Sequence, residues 1–194
     1  PQGTDQATIV WEWDLWDHLI QDFDASKDNF GVVAENPQLL NLNFIGFSNN
    51  NADWTHVNAM DYNEDLDQIM FSARFTNEIY VIDHSTTTEE AASNSGGNSG
   101  KGGDFLYRWG NPQAYDRGTE DDQQFFGQHS THWIPEGLPE AGKIMVFNNG
   151  FMRGHTTIEI LTPPTPDSNG NYPITSSDPF EPANASIRYE DPNN

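Results

Sequence analysis

Along much of the chain, runs of four to eight residues rich in apolar, β-branched and aromatic side chains are separated by polar, turn-forming Gly, Asn, Asp and Pro. Short runs of that composition between turn signals read as strands. Four such runs follow one another at 55–62, 68–74, 78–83 and 104–109, and a second four at 128–134, 143–147, 156–161 and 185–189. Each set reads as a four-stranded antiparallel meander, the repeating unit of a β-propeller. An earlier β-branched and aromatic run at 8–13 (TIVWEW) reads as the last strand of a preceding blade. After it, Trp16, Leu19, Ile20 and Phe23 recur at helical spacing behind Asp14, a good N-cap, and predict a short amphipathic helix. Residues 29–53 are rich in Asn and read as a surface connection with at most one helical turn, near 38–42.

The two meanders carry a faint internal repeat. A His-bearing first strand (His56, His129) is followed 13 and 15 residues later by an Ile-led second strand (Ile69, Ile144). The expectation is therefore an all-β chain, one partial propeller domain over 1–194 with short helices in the connections. It divides into a leading strand at 1–13, helix and connection at 14–53, and blades at 54–110 and 127–190. A β-sandwich of the same strands is the competing architecture. Two blades and a strand cannot close a ring, so further blades are expected from residues outside this sequence or from another chain, a homo-oligomer being one way to supply them.

Six Trp, six Tyr and twelve Phe give ample surface for a core. Thirty acidic against eight basic residues leave a formal charge of −22, which repels polyanions and excludes nucleic acid as a partner. With no cysteine there is no disulfide, thiolate or Cys-based metal site. No run approaches the roughly 18 apolar residues that span a bilayer, so a soluble protein without membrane insertion is expected, and the Pro1 start reads as a processed or excerpted chain.

Two motifs fail on inspection. The glycine loop 93–103 has Ser95 and Gly102 where a phosphate-binding loop needs Gly and Ser or Thr, and reads as a flexible surface loop. The acidic run 61–67 has Leu66 and Ser72 where a calcium-binding EF-hand needs Gly and Glu, and reads with 167–171 as hairpin turns. No cofactor or metal ligand set is expected, the acidity leaving calcium as the one ion to consider. Asn184-Ala-Ser186 is a formal glycosylation sequon.

The candidate chemistry lies in histidine. His56, His129 and His132 stand at or near the starts of innermost strands, which line the centre of a propeller, whereas His18, His84 and His155 read as structural. Arg74, Asn148 and Asn149 can approach the same place. Imidazoles, a guanidinium and amides make a donor-rich pocket suited to a tetrahedral oxyanion, and a neutral imidazole can act as a nucleophile, so phosphoryl or sulfuryl transfer fits such a set.

The segments DWTHVNAMDYNEDLDQIMFSARF (53–75), RWGNP (108–112), GQHSTHWIPEG (127–137) and IMVFNNG (144–150) together resemble the arylsulfotransferase family, over a region from about Trp11 to Gly150. The resemblance implies a periplasmic or secreted six-bladed propeller that moves a sulfuryl group from an aryl sulfate to a phenol without a nucleotide donor, through a sulfated histidine. It assigns the nucleophile to His129 and the binding of the sulfuryl oxygens to His56, Asn58 and Arg74, with His56 also able to protonate the leaving phenolate. Arg153, after FNNG, is a further candidate for the pocket. The family also uses a His from an earlier blade that no residue before Trp11 supplies, so this chain alone is expected to lack a complete site. A non-catalytic extracellular propeller serving binding or assembly is the alternative.

Overall fold

The computed structural model describes residues 7–44, 46 and 52–190. Its regular structure is almost wholly β. Two short strands, β1 (Leu19–Ile20) and β2 (Leu40–Asn41), pair in parallel; two four-stranded antiparallel sheets follow. The first contains β3 (Val57–Asn63), β4 (Gln68–Ala73), β5 (Glu78–Asp83) and β6 (Tyr107–Trp109); the second contains β7 (His129–Trp133), β8 (Ile144–Asn148), β9 (Thr157–Leu161) and β10 (Ser186–Glu190). In both, every strand neighbours its sequence neighbour, as a meander requires. All eight strands read from these runs are present. They do not close into a barrel or ring, so the all-β class is what the described residues establish.

The pattern succeeds because turn chemistry and burial agree. The β3–β4 turn is held by Asn63, whose Oδ1 accepts from the Leu66 amide at 3.1 Å, and the turn at 167–171 by Asp167, whose Oδ1 accepts from the Asn169 and Asn171 amides at 2.9 Å each. Met70, Ile79, Val81, Tyr107 and Trp109 on one sheet meet Trp133, Ile144, Val146 and Leu161 on the other. Each such side chain stabilises the packed pair by about 1.5–3 kcal/mol relative to exposure. The opposite face of the first sheet, with Phe71, Tyr80, Ile82 and Phe105, is covered by β1 and β2 and by Trp11, Trp13 and Trp54.

Three expectations for the first fifty residues are corrected. Residues 8–13 form no strand: the segment is pinned by side chains instead, Trp11 Nε1 donating to Thr86 Oγ1 at 3.2 Å and Trp13 Nε1 to the Gly103 carbonyl at 2.9 Å. The helix behind Asp14 is a single 3₁₀ turn, Leu15–His18, that ends where β1 begins. Trp16 and Phe23 lie largely exposed, while His18 is fully buried between Asp104 Oδ1 (2.9 Å) and the Ala91 carbonyl (2.8 Å). The turn near 38–42 is strand β2, and the helical turn lies earlier, at Val33–Glu35.

Elsewhere, the run 86–92 forms helix α1 (Thr88–Ala91), with Thr87 and Glu90 completing a capping box. The glycine loop after it is built for close approach rather than freedom: a Cβ at Gly103 would stand 2.0 Å from the Ala91 carbonyl and 2.5 Å from His18 Nε2. The Pro-rich stretch between β9 and β10 folds back onto the first sheet, where Tyr172 and Phe180 pack on Tyr107 with ring centroids 4.8 and 5.3 Å apart.

Glu78 and Arg108 form a fully buried ion pair inside this framework. Arg108 Nε donates to Glu78 Oε1 at 2.8 Å and Nη2 to Oε2, while Nη1 donates to the Leu39 carbonyl at 2.9 Å. The guanidinium stacks 4.3 Å from the Tyr115 ring centroid. Burial pushes the Glu78 carboxyl above its ordinary range, and the charge of Arg108 offsets part of that. No helix among the described residues is long and apolar enough to cross a membrane.

Candidate functional site

β3 and β7, the first strands of the two sheets, lie side by side, each with a bulge near its start. The bulges fall between Val57 and Ala59 and between His129 and His132, and beside them His56 (φ 51°) and Ser130 (φ 53°) adopt the left-handed conformation. Non-glycine residues hold that conformation only where surrounding contacts impose it, and bulges re-aim side chains at sheet rims. No backbone ladder joins the two strands. Instead, Asn58 Nδ2 donates to the Gln128 carbonyl at 2.8 Å and the Trp133 amide donates to Asp61 Oδ2 at 2.8 Å, so β3 side chains satisfy the open edge of β7.

This junction brings His56, Arg74 and His129 together. The Arg74 amide donates to the His56 carbonyl at 3.1 Å, and Gly127, two residues before His129, lies against Arg74. Burial first, then the charges of Arg74 and His56, lower the pKa of His129 below its ordinary 6.5. Its imidazole is thus biased towards the neutral, nucleophilic form. Gln128 fixes the start of β7: fully buried, its Nε2 donates to Ser72 Oγ, the Ala73 carbonyl and the Glu78 carbonyl at 2.9–3.1 Å. His56 Nδ1 bonds Asp53 Oδ2, and its ring lies 4.8 Å from that of Phe75. A carboxylate on Nδ1 fixes the tautomer and leaves Nε2 directed elsewhere.

Four of the eight basic residues, Arg108, Lys143, Arg153 and Arg188, sit in ion pairs, and Arg117 donates to backbone carbonyls. Among the described residues Arg74 has no carboxylate partner, and its Nε is buried without a hydrogen bond. Its guanidinium lies between two rings, 5.7 Å from Phe75 and 5.0 Å from Phe151.

The remaining sequence candidates are held by protein groups. Asn148 is fully buried, its Oδ1 accepting from the Phe126 and Gly150 amides and its Nδ2 donating to the Gln124 carbonyl and Glu159 Oε1, all within 2.9–3.3 Å. Asn149 Nδ2 donates to the Gly127 carbonyl. Arg153 Nη2 donates to Glu159 Oε1 at 3.0 Å and to Thr157 Oγ1 at 2.7 Å. Asn58 spends one amide hydrogen on Gln128, and its Oδ1 is buried without a partner. His132 Nδ1 contacts the Ser130 carbonyl, His84 pairs with Asp67, and His155 with Glu190. Among the described residues no group of three or more His, Asp or Glu side chains converges as a metal site.

Three residues of this junction were not singled out from the sequence. Asp53 had a signal, standing three residues before His56 in DWTH; Gln128 stood in the QH motif as its unremarked partner; Phe151 had none, since only the β8–β9 turn brings it to Arg74.

The model of the Arylsulfotransferase (ASST) family matches residues 4–174, more than half of the chain and beyond the region 11–150 that carries the resemblance in sequence. No curated protein and no solved structure matches it.

Proposed function

The chain belongs to the arylsulfotransferase family, and on that basis we propose that it transfers a sulfuryl group between phenolic compounds through a sulfohistidine on His129. The observation that carries the proposal is the uncompensated guanidinium of Arg74 beside a histidine whose pKa is lowered, in a chain with thirty acidic residues available to neutralise it. A cation left without a carboxylate in such a chain is suited to an anionic ligand. In the first step a ring nitrogen of His129 attacks sulfur, the bond from sulfur to the aryl oxygen breaks, and its electron pair leaves as phenolate. His56 delivers a proton to that oxygen, its ring oriented by Asp53. Arg74 lies against the equatorial oxygens, where charge is retained through the transfer. In the second step the acceptor phenol, deprotonated by His56, attacks the sulfur; the nitrogen–sulfur bond breaks and its pair returns to His129. Asn58 serves this scheme by setting the spacing of β3 and β7.

The same reading makes the two meanders adjacent blades of a propeller completed elsewhere, exported to the periplasm or outside the cell. The test is the protein given 4-nitrophenyl sulfate: phenol release should accelerate when a second phenol is added, and a sulfated peptide containing residue 129 should be trapped by mass spectrometry. Absence of that adduct, or its persistence in His129→Asn, rejects the scheme.

A further inference from the structure

Phe151 is an apolar ring with an unusual setting. It is 58% exposed, yet its backbone is fixed: the amide donates to the Phe126 carbonyl at 3.3 Å, and the turn is closed by the Arg153 and Gly154 amides donating to the Gly150 carbonyl at 2.8 and 2.9 Å. The ring lies 5.0 Å from the Arg74 guanidinium carbon and rests on Gly127, where an added Cβ would stand 2.5 Å from the ring edge. Gly127 also has φ +76°, so both backbone and space there are reserved for a glycine. The ring thus meets the cation while staying largely open to solvent, and a second ring, Phe75, lies 5.7 Å from the same guanidinium carbon. A fixed, solvent-facing aromatic beside an uncompensated cation is a surface for a ligand that is anionic at one end and flat and apolar at the other.

Resting on the transferase reading, we propose that Phe151 determines the preference for aromatic over aliphatic sulfate esters, its open side stacking on the aryl group while the sulfate lies against Arg74 and His129. Stacking contributes in ground state and transition state alike, so the effect falls on KM rather than kcat. The experiment compares the protein with F151A, F151L and F151Y. With 4-nitrophenyl sulfate as the donor, both kinetic parameters are measured, together with inhibition by cyclohexyl sulfate, a donor-shaped ester without a π face. In F151A and F151L the donor KM should rise roughly three- to tenfold, the range expected for loss of one stacked pair, with kcat retained and the cyclohexyl constant moving less than twofold. F151Y should restore the original ratio. The largely exposed ring should leave the thermal midpoint of each variant in place, which separates loss of a contact from loss of fold. Equal shifts for both esters, or a donor KM unchanged in F151A, overturn the proposal while leaving the transfer reaction standing. A protein that neither turns over nor binds 4-nitrophenyl sulfate overturns both readings together.

Discussion

Replacing Arg108 by Met leaves Glu78 as an unpaired carboxylate at full burial. The native guanidinium satisfies both carboxylate oxygens, donates to the carbonyls of Leu39 and Pro37, and stacks on Tyr80, Phe105 and Tyr115. In the variant the carboxylate retains the Tyr80 hydroxyl, at 2.8 Å, as its described donor. Breaking one side of a buried pair costs about 3–5 kcal/mol because the survivor is left charged and unsolvated. An exposed pair such as Arg188–Glu140, screened by solvent, contributes far less. Against a total stability of about 5–15 kcal/mol the loss is large, and for a chain of this size it lowers the thermal midpoint by about 6–20 °C. Equilibrium urea unfolding gives the difference directly, an unchanged slope showing that the unfolded state is the same. The double variant Arg108→Met, Glu78→Gln should recover at least half, because the charge is gone. The sign with pH follows from the raised pKa of Glu78. The folded state keeps this proton where the unfolded state has released it, so the group favours folding below its ordinary carboxylate value and loses that contribution as pH rises through the higher folded value. The deficit of Arg108→Met should therefore shrink on acidification from neutral to about pH 5. A single-variant loss under about 1 kcal/mol, or a double variant less stable than the single, would falsify this account of the pair.

The other expectations concern the junction and one cap. Because His129 titrates below 6.5, the acid limb of kcat/KM should lie below that value, and Arg74→Met should move it upward; a limb unmoved in that variant removes Arg74 from the electrostatics of the site. The same lowered pKa means that His129 supports folding above its unfolded value and loses that contribution as pH falls through the folded one, a loss that His129→Asn should abolish in thermal scans. Gly127→Ala should push the Phe151 ring aside and reproduce the weaker donor binding of F151A, with an added stability loss from its positive φ. Thr87→Ala removes the capping box of α1 and should cost about 1 kcal/mol in urea unfolding.

How much could be read in advance follows from where the information sits. The eight strands were legible because β4 and β5 carry long apolar runs and their turns carry Asn, Asp and Gly, so local and tertiary demands coincide. The segment around Trp16 was misread for the opposite reason. Its spacing is helical, but His18 is drawn inward by Asp104, 86 positions away, and the chain passes into β1 rather than completing a second helical turn. The turns at 61–67 and 167–171 were legible from their Asn, Asp and Gly residues, whereas the glycine loop, read as flexible, is close-packed because Gly103 leaves no room for a Cβ. For the candidate site, the proximity of His56, Arg74 and His129 could be anticipated from repeat phase, since His56 and His129 stand at the start of the first strand of their sheets and Arg74 follows the second. The engagement of Asn148 and Arg153 by Glu159 could not: Glu159 is an acidic residue within an apolar strand, and the sequence does not distinguish a buried carboxylate with partners from a solvent-facing one.

The seam between β3 and β7 makes the alignment of the two imidazoles a separate property from the integrity of either sheet. Each ladder is complete on its own side, whereas lateral registration rests on side chains: the bridges from Asn58 and Asp61, the three hydrogen bonds of Gln128 and the core packed between the sheets. Substitutions at Asn58 and Asp61 should loosen that registration while leaving both ladders intact. The geometry of the junction in this chain can therefore be tuned apart from the hydrogen bonding of either sheet.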